Sequence, residues 1–368
     1  MQFTSTQGEM LRCLNMVEKA VATRDVQEIL TGIYLECGDG KLTLRATDSE
    51  ISMEAYTTVE TTSPGSMVLK AKYFVPLIRR LPSGEVTFKQ LKEQQMLEIT
   101  AGNGSFRLQT MVGEDFPSLP MGNVLPLLEM PCHVLAKMIR QTAYATREDQ
   151  GHSVFAGVLM EYKADELRLV ATDTNRLCFN RQTIPGGEDF NFILPARTCI
   201  ELQRILPTDS ESTVKLTLVG NQVLFRQNDV ILVSRLLEGQ YPDYSRVMPA
   251  STETEIVVEC RELTSALERA NLMHKQSSAS VTLDIEEGIL ILRTRDVELG
   301  ESEESLSVKQ NGPTMRSAFQ ARFLLDMLKT VSTDKVRIGL SSGMNPGTIR
   351  PLDSDDYVYV IMPVMTPR

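Results

Sequence analysis

One pattern occurs three times at a spacing of 125 residues: Lys70-Ala-Lys-Tyr-Phe-Val-Pro-Leu-Ile-Arg-Arg-Leu81, then Pro195-Ala-Arg-Thr-Cys-Ile-Glu-Leu-Gln-Arg-Ile-Leu206, then Gln320-Ala-Arg-Phe-Leu-Leu-Asp-Met-Leu-Lys-Thr-Val331. Each copy has apolar residues at helical spacing and a base directly after a shared alanine. A period of this length is that of a whole domain rather than of a short solenoid repeat. The 368-residue sequence therefore predicts three copies of one domain, over residues 1–125, 126–250 and 251–368.

The rest of each copy repeats as well. An amphipathic helix pattern opens each copy, with apolar residues three and four apart, as at Met10, Leu14 and Val17. Two strand-like runs around a short turn follow, as in Gly32–Asp48 and Gly157–Asp173. The triplicated helix comes next, and further strands end the copy. Two helices packed on antiparallel sheet predict an α+β fold for every copy.

Composition excludes several classes of protein. The net charge is −10, divided as −3, −2 and −5 among the three copies, so no copy is basic. This argues against tight phosphate binding but leaves room for a local basic surface. No apolar run reaches the length of a membrane span, and the N-terminus does not read as a signal peptide. Six scattered cysteines without CxxC spacing are typical of reduced thiols in a cytoplasmic protein.

Motifs for catalysis and metal binding are absent from the sequence. It contains no P-loop, HExxH, GxSxG or zinc-ligand spacing, and its three histidines are far apart. Asp48 and Asp173 occupy equivalent positions after a strand, where an aspartate commonly hydrogen-bonds the turn. We therefore expect no enzyme activity, no catalytic residue, no metal site and no cofactor.

Several motifs carry a resemblance to a known family. They are Ala171-Thr-Asp173 with Arg176-Leu177, Glu238-Gly-Gln-Tyr-Pro-Asp-Tyr244 with Arg246-Val247, and the ending Tyr359-Val-Ile-Met-Pro363. In this order, together with Asp115-Phe-Pro117 and the three-copy length, the chain resembles the bacterial DNA polymerase III β subunits, the sliding clamps, along its whole length.

The resemblance implies a head-to-tail homodimer of three-domain chains that closes into a ring of six domains around duplex DNA. Such a ring binds DNA without sequence preference and tethers the DNA polymerase III α subunit and other polymerases. It is loaded by a clamp loader complex, and mismatch-repair proteins and ligases are further possible partners. It is not an enzyme and has no membrane partner.

A DNA-facing wall is expected on the helices, where basic residues recur away from the apolar face. Exposed bases are also typical of any solvated helix, but here they recur in all six helices. The resemblance adds Arg24, Gln150 and Arg197 as positions near DNA. The DNA-facing candidates are Arg24, Lys72, Arg79, Arg80, Lys137, Arg140, Gln150, Arg197 and Arg204.

A docking pocket for a partner peptide is implied by the resemblance at the junction of copies two and three. Its apolar walls, flexible methionine and few polar groups suit a peptide. Taken alone, Val360 and Met362 are more typical of a strand core than of a pocket. Only the middle copy has the complete motif, so one pocket per chain is expected. The pocket candidates are Phe155, Thr172, Thr174, Asn175, Arg176, Leu177, Pro242, Arg246, Val247, Val360, Met362 and Pro363.

Two departures from the family pattern bear on this pocket. Thr174-Asn175 stands where Gly-His is common, and Phe155 stands where leucine is common. We expect them to alter the pocket's shape and its choice of partner.

The dimer contact is expected between copy three and copy one of the next chain. Residues 296–304 contain five acids, which are equally compatible with a solvated loop. The resemblance pairs this acidic segment with bases and apolar residues of copy one, including Lys72. The interface candidates are Phe106, Arg107, Leu108, Leu272, Met273, Glu298, Glu301, Glu303 and Glu304.

The alternative to a ring-forming clamp is a monomeric peptide-binding scaffold that does not encircle DNA.

Overall fold

A computed structural model describes residues 1–23, 27–120, 124–147, 153–273 and 279–365. Arg24 and Gln150, two of the DNA-facing candidates, lie outside the described residues. Within the described residues, no helix is long and apolar enough to cross a membrane.

The described part of the first copy contains two α-helices and nine strands. The strands are β1 (Gln2–Thr6), β2 (Gly32–Gly38), β3 (Lys41–Thr47), β4 (Ile51–Thr58), β5 (Glu60–Ser63), β6 (Gly65–Lys70), β7 (Glu85–Leu91), β8 (Met96–Ala101) and β9 (Gly104–Met111); the helices are α1 (Gln7–Val17) and α2 (Ala71–Arg80).

The second copy repeats the plan. Its strands are β10 (Leu128–Pro131), β11 (Gly157–Lys163), β12 (Glu166–Thr172), β13 (Arg176–Thr183), β14 (Phe190–Pro195), β15 (Thr213–Val219), β16 (Gln222–Gln227) and β17 (Val230–Arg235); its helices are α3 (Cys132–Thr142) and α4 (Ala196–Ile205).

The third copy repeats it again. Its strands are β18 (Thr254–Glu259), β19 (Ser280–Glu286), β20 (Ile289–Asp296), β21 (Gly300–Ser307), β22 (Lys309–Asn311), β23 (Met315–Gln320), β24 (Lys335–Leu340), β25 (Gly347–Pro351) and β26 (Tyr357–Ile361); its helices are α5 (Cys260–Leu272) and α6 (Ala321–Leu328).

Helical periodicity explains how the helices bury their apolar faces. Met10, Leu14 and Val17 of α1 are buried at spacings of three and four residues, and Phe74 and Ile78 of α2 do the same. The predicted helix positions are therefore confirmed. The hairpins β2–β3, β11–β12 and β19–β20 are antiparallel, as their alternating apolar residues predicted.

The described residues form two compact units. The first comprises Met1–Val134 with Ile200–Leu236, and its sheet runs β10-β15-β16-β17-β4-β3-β2-β6-β9-β8-β7-β1-β5. The second comprises Leu135–Cys199 with Leu237–Arg368. It contains a nine-stranded sheet, β14-β11-β12-β13-β26-β25-β24-β18-β22, and a four-stranded sheet, β21-β20-β19-β23.

The sheets continue across the boundaries of the sequence repeat. In the first unit β4 of copy one pairs antiparallel with β17 of copy two, with Ser52 opposite Val233. In the second unit β13 of copy two pairs in the same way with β26 of copy three, with Leu177 opposite Val360. Backbone hydrogen bonds therefore join each copy to the next within one chain.

Candidate functional site: a peptide-sized pocket and two interfaces

A cavity of about 220 Å³ opens in the second unit. Its floor is the strand pair β13–β26, where Leu177 and Val360 are buried within an apolar cluster that includes Phe179 and Ile193. A floor of aliphatic side chains with few polar atoms is suited to apolar ligand groups. The cavity is lined by Phe155, Thr172, Thr174, Arg176, Leu177, Tyr241, Pro242, Asp243, Tyr244, Val247, Val360 and Met362.

The turn between β12 and β13 forms one wall. Asp173 Oδ1 accepts hydrogen bonds from the backbone N–H groups of Asn175 and Arg176, both at 3.0 Å. The Thr172 hydroxyl donates to the Arg176 carbonyl at 2.6 Å and accepts from the Thr174 N–H at 3.1 Å. These bonds hold Thr174 at φ +79°, a region that β-branched residues rarely adopt.

The same turn occurs in copy one. Asp48 Oδ1 accepts from the N–H groups of Glu50 and Ile51, and Ser49 has φ +78°. The predicted role of Asp48 and Asp173 in hydrogen-bonding their turns is therefore confirmed.

Arg176 lies beneath this turn, with a side chain that is 6% exposed. Its guanidinium donates to Asp173 Oδ2 at 2.9 Å, to Asp326 Oδ2 at 2.8 Å and to the Tyr144 carbonyl at 3.0 Å. It also lies over the ring of Phe323, 4.3 Å from the centroid. Burial alone would lower the pKa of Arg176, but its anionic partners raise the pKa, so the charge is firmly held.

The segment after β17 forms the opposite wall. Asp243 caps a short 3₁₀ helix, Tyr244–Arg246, by accepting from the Ser245 N–H. The Tyr244 hydroxyl donates to Glu161 Oε2 at 2.8 Å. Burial, and to a smaller extent this carboxylate, raises the pKa of Tyr244 to about 12. The Tyr241 ring meets Phe155 edge to face, at 6.3 Å between centroids.

Nine of the twelve sequence-predicted pocket residues line this cavity. Asn175, Arg246 and Pro363 lie beside it instead. Asn175 accepts the Met362 N–H through its carbonyl, and Arg246 points to solvent and pairs with Asp243 at 3.0 Å. Pro363 is buried directly after Met362.

Sequence reasoning missed three lining residues, Tyr241, Asp243 and Tyr244. All three belong to the Gln240–Tyr244 part of the motif that suggested the family, so the signal was present. Only Pro242 was taken from it, because the sequence does not show which side of an irregular segment packs against the sheet.

Comparison with known proteins identifies the family. Models of the DNA polymerase III beta subunit match three consecutive parts of the chain: the N-terminal domain over residues 1–120, the central domain over 129–243 and the C-terminal domain over 245–365. The chain belongs to the DNA polymerase III beta subunit family. It thus consists of three clamp domains.

Relatives from several bacteria match the chain from end to end. The beta sliding clamp of Staphylococcus epidermidis is 30% identical and that of Bacillus subtilis 29% identical, each with 100% of both chains covered. The crystal structure of the B. subtilis sliding clamp has a TM-score of 0.95 at 28% identity, over 100% of both chains. A Pseudomonas aeruginosa sliding clamp bound to griselimycin has a TM-score of 0.94 at 26% identity, also over 100% of both chains.

Apart from Arg197, the described DNA-facing candidates divide into two groups. Arg79 donates to Glu18 at 3.3 Å, and Arg204 pairs with Glu201 at 2.7 Å, so carboxylates offset these charges. A second group has no acidic partner among the residues that the structure describes: Lys72, Arg80, Lys137 and Arg140. Arg197, the remaining described candidate, is exposed on α4.

The predicted interface acids are placed on or next to β21, the last strand of its sheet. Glu303 pairs with Arg293 at 2.8 Å, and Glu304 pairs with Arg269, so these two have partners in their own chain. Glu301 is exposed and has no partner in the described part of its own chain. Glu298 is exposed in the turn before β21.

The predicted interface residues of copy one lie on β9. Phe106 is 39% exposed, Leu108 is half-buried, and Arg107 pairs with Glu98 of β8 at 2.8 Å. Strand β9 pairs with β8 over residues 104–109, but β6 pairs only with Thr110 and Met111. In the described sheets, residues 105–108 therefore have one open backbone edge.

The apolar candidates of copy three lie at the end of α5. Leu272 is 78% exposed, and Met273 next to it is half-buried. An exposed leucine at a helix end, together with Phe106, supplies apolar surface of the kind found at protein interfaces.

Proposed function

We propose that this protein is a sliding clamp: a homodimeric ring that encircles duplex DNA and tethers DNA polymerases through the pocket. The observation that carries the proposal is how successive copies are connected. Within the chain, β4 of copy one pairs with β17 of copy two, and β13 of copy two pairs with β26 of copy three; each such pairing is a join between copies. Among the described strands, the equivalent ones without such a pairing are β21 of copy three and β9 of copy one. Because head-to-tail contacts can close a ring, a third join between chains would complete the series.

The internal repeat also predicts the register of that third join. Ser52 of β4 pairs with Thr47, one residue before Asp48, and Glu301 of β21 pairs with Arg295, one residue before Asp296. Glu301 is thus the counterpart of Ser52.

On the partner strand, Val233 lies three residues after the start of β17, and Arg107 lies three residues after the start of β9. Each of these strands follows a two-residue turn, and in each the first residue pairs with the last residue of the preceding strand, Val230 with Gln227 and Gly104 with Ala101. Since Ser52 pairs with Val233, Glu301 of one chain is expected opposite Arg107 of the next. Opposite charges at directly paired positions stabilise a sheet.

The pocket supports a role in docking polymerases. A relative with the same fold is bound to griselimycin, and we propose griselimycin as a probe of the cavity. The partners that we propose for this protein are the DNA polymerase III α subunit, other polymerases, the clamp loader, and mismatch-repair or ligase-type proteins. The aromatic wall of Phe155, Tyr241 and Tyr244 adapts the site to apolar side chains.

Contact with DNA is proposed to be loose. The described DNA-facing candidates that lack a carboxylate partner are few, and the chain carries a net charge of −10, so phosphate contacts are weak and screened by salt. Such contacts let a ring move along the duplex, and we propose that it does so in the cytoplasm.

Native mass at micromolar concentration tests the proposal against a monomeric scaffold. The ring predicts twice the 41.1 kDa mass of the chain. A monomer under these conditions would contradict the ring and favour the scaffold.

A further inference from the structure

Arg176 connects the pocket to a helix outside it. It lines the cavity, yet its Nη1 donates to Asp326 of α6 at 2.8 Å, while Phe323 of the same helix packs against the guanidinium. The Asp326 side chain is 24% exposed and that of Arg176 is 6% exposed, so water screens this contact only in part. Charge-assisted bonds of this kind are stronger than neutral ones.

The connection continues into the turn that forms the pocket wall. Arg176 Nε donates to Asp173 Oδ2, and Asp173 Oδ1 holds the N–H groups of Asn175 and Arg176. One carboxylate therefore joins the guanidinium to the backbone of the turn, which includes Thr174 with its positive φ. The orientation of Arg176 thus affects the shape of the wall.

Among the residues that the structure describes, the middle copy alone has this connection. At the position of Arg176, the repeat places Ile51 in copy one and Gly300 in copy three, neither of which can make an ion pair. At the position of Asp326, copy one has Pro76, and copy two has Glu201, which pairs with Arg204 of its own helix instead. The link from helix to turn accordingly occurs where the cavity is.

We propose that Asp326 is a positioning residue for the pocket. It does not line the cavity; it fixes Arg176, which with Asp173 holds the Thr172–Leu177 wall in a shape ready for a ligand. Ordering the wall in advance lowers the entropy that a ligand would otherwise lose on binding. This inference rests on the proposed role of the pocket as a docking site.

The test uses Asp326→Asn in the full-length chain, with hydrogen exchange and griselimycin binding as separate measurements. Exchange in the segment Thr172–Leu177 should become roughly tenfold faster, because an amide oxygen holds the guanidinium less firmly than a carboxylate. The equivalent segment Thr47–Ser52 should be unchanged, which makes copy one an internal control. Affinity for griselimycin should fall roughly tenfold.

Two further variants separate positioning from general damage. Arg322 is the second partner of Asp326, at 4.0 Å, so Arg322→Gln should leave both measurements at their wild-type values. Asp326→Glu keeps the charge and should restore most of the protection.

The outcomes are distinguishable. Unchanged exchange at Thr172–Leu177 in Asp326→Asn would overturn the inference, as would equal acceleration in both copies or an equal effect of Arg322→Gln. If the wild-type chain binds no griselimycin while exchange changes as expected, the positioning role stands and the docking role of the pocket is contradicted for this probe.

Discussion

Thr174 is the most unusual residue of the pocket. Its φ of +79° places a β-branched side chain where glycine is preferred, at the rim of the cavity. The side chains of Thr172 and Asp173 accept hydrogen bonds from backbone N–H groups of the turn and so hold this conformation. Backbone strain is thus stored at a proposed functional site.

Replacing Thr174 by glycine should therefore stabilise the protein. Relief of the left-handed conformation is worth about 1 kcal/mol after allowance for the greater freedom of glycine in the unfolded chain. Urea denaturation measures the change, with Thr174→Ala as the control because alanine keeps most of the strain. A glycine variant less stable than the alanine variant would contradict the proposed strain.

Tyr244 links stability to alkaline pH. Its pKa is raised to about 12 by burial and by Glu161, so the folded protein keeps a proton that the unfolded chain loses above its ordinary pKa of about 10. The stabilising contribution is complete below pH 10 and declines as the pH rises toward 12.

Tyr244→Phe should consequently flatten the fall in unfolding free energy between pH 10 and 12, measured by denaturation at each pH. Tyr73→Phe is a suitable control, because Tyr73 is 57% exposed. An unchanged slope in Tyr244→Phe would show that Tyr244 ionises equally easily in the folded and unfolded chain.

At the scale of elements, the sequence predicted those helices and strands whose apolar residues recur with a clear period. Helices and hairpins were predicted correctly because apolar residues recur at 3.6 or 2 residues within one continuous segment. Strands β1, β10 and β18 were missed, since four to six residues before a helix carry too little pattern. The strands between the hairpin and the second helix of each copy, β4–β6, β13–β14 and β21–β23, were missed as well, and so was β25. The pairings β4–β17 and β13–β26 were also missed, because contacts between distant segments leave no local signal.

In the candidate site, too, the sequence did not predict contacts between distant segments. The family motif located most of the pocket, but it could not reveal that the guanidinium of Arg176 donates to Asp173, Asp326 and Tyr144. Nor could it distinguish Arg79, which has a carboxylate partner from another helix, from its neighbour Arg80. Both facts depend on tertiary contacts.

The join between β21 and β9 gives a prediction at this scale. Arg107→Cys combined with Glu301→Cys should form a disulfide between two chains under mild oxidation, because directly paired residues of antiparallel strands have Cα atoms about 4.5–5.5 Å apart. The six native cysteines are buried, so they should not compete.

The matched control for that crosslink is Arg107→Cys with Glu303→Cys, which lies two residues along the same strand face. It should crosslink much less than the Glu301 pair on a non-reducing gel. A stronger crosslink at Glu303 would show that the register taken from the internal repeat is wrong.

For the whole molecule, DNA contact should depend on the bases without carboxylate partners. Arg80→Gln should weaken non-specific DNA binding and reduce the slope of log affinity against log salt by about 1, as expected for one lost phosphate contact. Arg79→Gln should have a smaller effect, because Glu18 already offsets its charge. Equal effects of the two changes, in binding titrations over a range of salt, would contradict this distinction.

The central claim is that the protein holds DNA by encircling it. The direct measurement loads the protein onto closed circular DNA with the cell's clamp loader, raises the salt to about 1 M, where screening acts within about 3 Å, and then linearises half of the sample. The ring predicts retention on the circle and loss from the linear form, because only free ends let a closed ring escape. Equal loss from circular and linear DNA would contradict it.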